Sequence, residues 1–317
     1  MSSNPKSARF QAVRTVIADE QAVVPPERAV EMAKAIRARH GATVRGFVFY
    51  GSSLREAEDP GKMLDYYVLV DRYRDVHGVG PKALASFLLP PSVHYFEAID
   101  RRGCPMTSKY SIVSLKAFLR RASGGAREPM IWARFSQPCL VMECDSPSVH
   151  DTLLDALANA VLHFADETTP MISGAWTPRE FWSRALSESY RTELRAERPL
   201  ARAREIVERF GERYDALGAA ALWPCGQGGK VQIAPAGFAA RQMARFKWAT
   251  RRWVGKPATA LRVLKGAFTF DGGLDYVLHK LKSHSGASIE VSEHQRRHPL
   301  LWSPVLAWKL WRRGAFR

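Results

Sequence analysis

The sequence predicts an α+β protein, and three observations carry that reading. Strand-forming apolar runs alternate with helical spacing over roughly residues 1–145. From Ser146 the apolar spacing becomes helical. From about residue 236 the chain turns basic and aromatic. The expected organisation is a mixed sheet with helices over 1–145, then a mainly helical unit over 146–235, for which a winged-helix-like arrangement is one form. A basic, aromatic region over 236–317 follows and ends in a helical tail.

Each element has a local reason. Residues 26–40 have helical spacing, with Gly41 as the C-cap. Strands are expected near 44–50 and 63–71, where Val, Phe, Tyr and Leu dominate. Lys82–Leu89 reads as a helix stopped by Pro90-Pro91. Ser92–Asp100 is a third strand, residues 101–105 a turn, and Lys109–Val113 a fourth strand. Ser114 can cap a helix through Arg121, and Gly124-Gly125 breaks it. Glu128–Phe135 reads as a short helix and Pro138–Glu143 as a last strand. Beyond them Ser148–Phe164, Thr177–Ala196 and Ala201–Leu217 have helical spacing, the second opening with Pro178 at its first position. Gly226–Gly229 is a loop, and its Gly228-Gly229-Lys230 fails the phosphate-loop pattern because Val231 stands where Ser or Thr is required.

Composition bounds the function. At 317 residues, 46% hydrophobic and 10% aromatic, the chain can bury a large core and is not a disordered sequence. A formal charge of +16 points to an anionic partner: nucleic acid, an anionic membrane surface or a phosphorylated substrate. From Arg241 to Arg317 there are sixteen Lys/Arg against four Asp/Glu, a net +12, so most of the excess lies in the last quarter. Four cysteines without C-x-x-C spacing read as reduced thiols of a cytoplasmic protein. No run of about 18 apolar residues is present, so no membrane-spanning helix is expected, and the N-terminus has no secretory apolar core.

The most informative chemistry lies between the first two strands. The apolar run Phe47–Tyr50 ends at Gly51-Ser52; a polar connection follows, and the next apolar run carries Asp65 near its start. A turn of this kind aims backbone N–H groups and a hydroxyl at a phosphate. A carboxylate at the entry of the next strand can hold a divalent metal against that phosphate. This is the arrangement with which a nucleotidyltransferase grips a nucleoside triphosphate, so the first domain is expected to be nucleotidyltransferase-like. A second acid two residues on is missing, since Tyr67 stands there. Asp71 lies six residues on, roughly 20 Å along an extended strand, too far to share the metal. Glu97 on the third strand is the nearest candidate partner; the alternative for Glu97, and the favoured reading for Asp71, is a solvated strand-end carboxylate.

Four segments, Tyr50-Gly51-Ser52, Met63-Leu64-Asp65, Ser108–Leu115 and Ile131–Pro138, stand in an order and at spacings that resemble the Tam41 (MMP37-like) phosphatidate cytidylyltransferases. The family's K-Y-G-V-V-S segment has its likeness in Lys109–Ser114, and its A-G-R-L-x-K-P segment in Trp132–Pro138. The likeness is good over about 44–142 and loose over the final fifty residues. Gln137 departs from the family's usual Lys, and Ser111 replaces a glycine. The resemblance implies a peripheral enzyme on the cytoplasmic face of the inner membrane that converts CTP and phosphatidic acid to CDP-diacylglycerol and pyrophosphate with Mg²⁺. It supports Lys109 and Arg134 as catalytic beside Asp65. The expected metal ligands are Asp65 and, from the neighbouring strand, Glu97, and the expected nucleotide-binding residues are Gly51, Ser52 and Tyr110, Tyr110 being equally readable as a core residue.

The tail from Pro304 to Arg317 sets Leu306, Ala307, Trp308, Leu310 and Trp311 on one broad side, with Lys309, Arg312 and Arg313 on the other. That suits an interfacial helix on an anionic leaflet, the alternative being a core-docked helix with a basic edge. Two other functions stay open: a nucleotidyltransferase acting on a soluble or RNA acceptor, and a basic nucleic-acid-binding protein with a degenerate nucleotidyltransferase domain. Nucleic acid is not the expected partner.

Overall fold

The computed structural model describes residues 5–54, 59, 61–193, 197–222, 229–269 and 292. It opens with a helix that the sequence pattern does not announce, α1 (Pro5–Glu20). Only Val13 and Ile17 of α1 are fully buried, with Phe10 and Val16 packed beside them, a stripe too narrow to stand out among polar neighbours. Helix α2 (Glu27–His40) buries Ala29, Met32, Ala33 and Ile36, and Gly41 ends it with φ +71°. Strands β1 (Val44–Tyr50) and β2 (Leu64–Val70) fall where their apolar runs put them. A single-turn helix α3 (Tyr73–His77) and α4 (Pro81–Leu88) precede β3 (Ser92–Ile99) and β4 (Pro105–Ser114). Ser114 caps α5 (Leu115–Ala122), its hydroxyl accepting the Ala117 N–H. Strand β5 (Cys139–Met142) completes the sheet.

The five strands lie in the order β3-β4-β2-β1-β5. β2 and β4 run parallel and the other pairs antiparallel, which makes the sheet mixed and the protein α+β. One face, with Phe47, Phe49, Tyr66 and Tyr110, is covered by α2. The other, with Val48, Tyr67, Leu69 and Val113, packs into the larger core shared with α5 and the helices that follow.

Those helices are α6 (Pro147–Thr168), α7 (Pro178–Tyr190), α8 (Pro199–Arg209) and α9 (Gly211–Leu222), with the short strand β6 (Gly174–Trp176) before α7. β6 pairs with β7 (Val231–Ile233), and the last described element is α10 (Phe238–Thr269). Thr177 and Glu180 form a reciprocal capping box at the start of α7. Two expected helices differ. The segment 128–135 forms successive turns, because Ile131, Trp132, Ala133 and Phe135 are all buried, which a surface helix with one apolar stripe cannot achieve. The helix expected over 201–217 is broken at Phe210, whose non-helical backbone (φ −118°, ψ 40°) separates α8 from α9. The tail 304–317 lies outside the described residues.

Helix α1 packs on α6 and α9, so residues near the start of the chain lie against those near 147–222. Helix α10 is held by charge. Arg251 lies against both Trp132 (5.2 Å) and Trp248 (4.9 Å), whose rings meet edge to face, and pairs with Glu167 at 2.7 Å. Arg252 reaches Glu188, a buried carboxylate that Arg184 and Arg191 also contact. Arg262 and Lys265 donate to the carbonyls of Pro90, Leu89 and Pro91. The backbone of α10 also closes on the end of α7: a Cβ on Gly255 would stand 2.5 Å from the Thr192 carbonyl oxygen. Among the described residues no helix is long and apolar enough to cross a membrane.

Beneath α2, His94 stacks between His77 (5.6 Å) and Tyr110 (5.2 Å), and His40 shares a 2.9 Å hydrogen bond with the Tyr110 hydroxyl. Burial, with Arg39 and His77 adding to it, lowers His40 to about 4. Burial, followed by His77, His40, Arg39 and Lys265, lowers His94 to about 3. Both are therefore neutral in the folded chain where an unfolded histidine, near 6.5, begins to charge. The unfolded state then binds more protons, so stability is full above about pH 6.5 and falls as pH drops toward 4. Thermal unfolding followed from pH 7 to 4.5 is expected to show this fall, and His94→Gln to flatten it; equal slopes in the two proteins would remove His94 as a cause.

Candidate functional site

The site begins as a row across the sheet. Tyr50 on β1 pairs with Asp65 on β2, and Asp65 with Lys109 on β4. Paired residues on adjacent strands point to the same face, with Cβ atoms about 5 Å apart. This row lies at the C-terminal end of β1, where the apolar face that carries Val48, Tyr67 and Leu69 gives way to polar groups. The chain leaves Tyr50 through Gly51, at φ +96°, into a short 3-10 turn over Ser52–Leu54. Gly51 turns tightly against the carboxylate: a Cβ there would come within 3.0 Å of Asp65 Oδ2.

Arg134 enters from the turn-rich segment before β5. Its guanidinium lies 5.3 Å from the Tyr50 ring centroid and 3.9 Å from Glu193 Oε1. Burial works against its charge, but the oxygens of Tyr50, Tyr67 and Glu193 outweigh that and raise Arg134, so it stays a cation. Its Nε is buried without a hydrogen-bond partner among the described residues. Burial drives the Tyr50 phenol well above its ordinary range, with Arg134 opposing and Asp65 adding to the rise. Tyr50 therefore acts as a neutral wall.

The opposite wall is helical. Ser189, Tyr190 and Glu193 come from the end of α7 and the turn after it, and Arg202, Ile206 and Arg209 from one face of α8. The Tyr190 hydroxyl donates to Gln137 Oε1 at 3.2 Å, which joins the two walls. Together they enclose a cavity of about 490 Å³. Its charged lining is four cations, Lys109, Arg134, Arg202 and Arg209, against the carboxylates Asp65 and Glu193, so it favours anions.

The cavity gathers Gly51, Ser52, Asp65, Lys109 and Arg134. Two expectations need correction. Tyr110 follows Lys109 on the same strand, so its side chain goes to the other face, where it is fully buried beside His40 and His94. It is a core residue and does not reach the cavity. Glu97 lies on the edge strand, two strands from β2 and one pleat along, roughly 12 Å from Asp65. Its carboxylate is exposed and accepts the Tyr95 hydroxyl at 2.7 Å, so it is not Asp65's metal partner. Asp71 is a strand-end carboxylate 3.7 Å from Arg45. Tyr50 and Gln137 lie in segments that the sequence singles out but without an assigned role, and Tyr190, Glu193, Arg202 and Arg209 were not anticipated; the spacing of Arg202, Ile206 and Arg209 on one helical face was the signal for the last two.

Among the described residues no group of three or more His, Cys, Asp or Glu could cage a metal. A Mg²⁺ shared with a triphosphate asks less: it takes one or two carboxylates, several waters and phosphate oxygens. Asp65, pressed against the glycine turn in a cationic cavity, fits that role. No model of a known family matches the chain, and no curated protein does.

Gly51→Ala tests the turn. The left-handed backbone costs any side chain about 1–3 kcal/mol, and the methyl group displaces Asp65. The variant is expected to unfold at a lower temperature than the parent. An unchanged midpoint in thermal unfolding would show that the turn tolerates a side chain.

Proposed function

We propose that the chain is a Mg²⁺-dependent phosphatidate cytidylyltransferase that works at an anionic membrane surface. The observation that carries the reading is the convergence of the Gly51–Ser52 turn, Asp65, Lys109 and Arg134 on one cationic cavity. The choice of CTP and of a lipid acceptor follows from the resemblance of these segments to the Tam41-like enzymes. In this reaction a phosphate oxygen of phosphatidate forms a bond to the α-phosphorus of CTP. The bond from that phosphorus to the bridging oxygen breaks, and pyrophosphate leaves with the electron pair. A phosphomonoester has a second pKa near 6, so the nucleophile is largely deprotonated at neutral pH and asks no base of the protein. The work left to the side chains is positioning and charge neutralisation. Ser52 and the backbone of its turn hold the terminal phosphates, while Lys109 and Arg134 offset charge on the transferring and leaving groups. Asp65 would hold Mg²⁺, which when bound neutralises charge building on pyrophosphate.

A lipid surface fits the outer face of α10. Phe246 and Trp253 are 64% and 82% exposed, seven residues apart, and Leu261 continues the same side. Arg245, Lys247 and Lys256 are exposed beside them. Aromatic rings flanked by cations suit the headgroup boundary of an anionic bilayer. Not every basic residue of this region is available, since Arg251, Arg262 and Lys265 are buried.

Purified protein incubated with CTP, Mg²⁺ and phosphatidate micelles is expected to form CDP-diacylglycerol. Asp65→Asn is expected to retain the fold and fall below about one hundredth of the parent rate. Turnover within a few-fold of the parent would sink the assignment of Asp65. Cytidylyl transfer that ignores phosphatidate would point to a soluble or RNA acceptor.

The membrane reading has its own test. Replacing Phe246 and Trp253 together by Ser is expected to weaken co-sedimentation with phosphatidylglycerol vesicles by about tenfold or more, since each ring buried in lipid is worth about 1.5–3 kcal/mol. CTP binding should stay as it was. Sedimentation equal to that of the parent would move the contact elsewhere on the chain.

A further inference from the structure

The helical wall of the cavity has a chemistry that the sheet wall does not. Helix α8 sends Arg202 and Arg209 into the cavity on the same face as Ile206, with Phe210 just beyond the helix end. Two guanidinium groups lie beside two apolar side chains. Glu205 bridges the pair, one carboxylate oxygen 2.8 Å from Arg202 Nη1 and the other 2.9 Å from Arg209 Nη2. Each arginine is thus already aimed at an oxygen acceptor, and both are aimed at the same small anion. Arginine forks suit phosphate oxygens as they suit carboxylate oxygens, and a phosphomonoester dianion carries more charge than a carboxylate.

The two walls divide the labour. The sheet wall holds what a nucleoside triphosphate needs, a glycine turn, a carboxylate and two cations, and the α8 wall lies across the cavity from it. The geometry points to the α8 wall as the acceptor subsite: Arg202 and Arg209 take the phosphate of a phosphomonoester whose apolar portion lies against Ile206 and Phe210. Glu205 occupies the two arginines while the acceptor is away and gives them up when it arrives. This rests on the cytidylyl-transfer reading above for the identity of the acceptor, but the phosphate site itself does not require turnover. It also makes the protein prefer monoesters: a phosphodiester lipid such as phosphatidylglycerol brings one negative charge to the two guanidinium groups, where a monoester dianion brings two.

The probe is dihexanoyl phosphatidate, which is soluble without a membrane, so that docking on lipid does not enter. Its equilibrium binding and its turnover with CTP are measured on the full chain and on Arg202→Gln, Arg209→Gln and Glu205→Gln. Each arginine variant is expected to weaken phosphatidate binding, and to raise its KM, by roughly tenfold or more, the weight of one charge-assisted hydrogen bond, with CTP binding little changed. Glu205→Gln removes the carboxylate shared by the two arginines, leaving Glu197 at 3.8 Å from Arg202 Nε, and is expected to tighten phosphatidate binding several-fold, a gain that misfolding cannot produce. Binding of phosphatidate by both arginine variants within twofold of the parent overturns the subsite, as does a parent protein that binds no phosphatidate. A parent that binds phosphatidate through these arginines but transfers no cytidylyl group keeps the subsite and sinks the transferase reading. Transfer with normal acceptor KM in both arginine variants does the reverse.

Discussion

The register between β2 and β4 is the constraint on which the candidate site depends. Asp65 faces Lys109 only because Leu64 pairs with Ser108 and Tyr66 with Tyr110. A slip of one residue would send Asp65 to the face covered by α2 and bring Tyr66 into the cavity. The register is held on both faces. Tyr66, Val68 and Ile112 are buried on one side, and Tyr67, Leu69 and Val113 on the other. Ser108 adds a hydrogen bond to the Leu64 carbonyl at 2.9 Å, immediately beside the Asp65–Lys109 pair. Aromatic and β-branched packing therefore positions a carboxylate and an ammonium that contribute nothing to the core themselves.

The cavity needs a second wall, and that wall is set by charge as much as by apolar contact. Glu188 is almost wholly buried, and its carboxylate meets Arg184, Arg191 and Arg252. A buried carboxylate is costly to desolvate and is tolerated when several charged donors satisfy it. Here the arrangement joins the last turns of α7 to α10, and the same turns carry Ser189 and Tyr190 into the cavity. Arg251, the residue before Arg252, lies against the rings of Trp132 and Trp248 and pairs with Glu167, which secures α10 to α6 at the same level. Much of the positive charge in this region is therefore spent inside the protein, and the rest is presented outward beside Phe246 and Trp253.

The sheet was legible because its strands are runs of Val, Ile, Phe and Tyr bounded by Gly and Pro, and local composition governs such elements. Gly51, Ser52 and Asp65 could be named because each sits at or near a strand end, where side chains meet open space, and Lys109 and Arg134 because their segments resemble those of the Tam41-like enzymes. Tyr110 and Glu97 show where that reasoning stops. Tyr110 neighbours Lys109 in sequence, yet the pleat sends it to the opposite face, and Glu97 depended on a strand order in which β4 proved to intervene. The α8 wall lay beyond reach for another reason. Arg202 and Arg209 are two among many arginines, and nothing local tells that a helix some 150 residues from Gly51 will face it. Helix α1 was hidden because only a narrow stripe of it is buried.

The close approach of Gly255 to Thr192 gives the molecule a mechanical property. With no side chain at Gly255, the backbone of α10 rests directly against the backbone of the turn that ends α7. Glu193, the next residue in that turn, lines the cavity and lies against Arg134. Pro257, two positions beyond Gly255, gives no N–H to the helix and leaves the Trp253 carbonyl without its usual helical partner, so α10 is most easily bent at this place. The backbone of α10 and the turn that carries Glu193 cannot approach further, so any bend of α10 at this place has to move that turn, and with it one edge of the cavity.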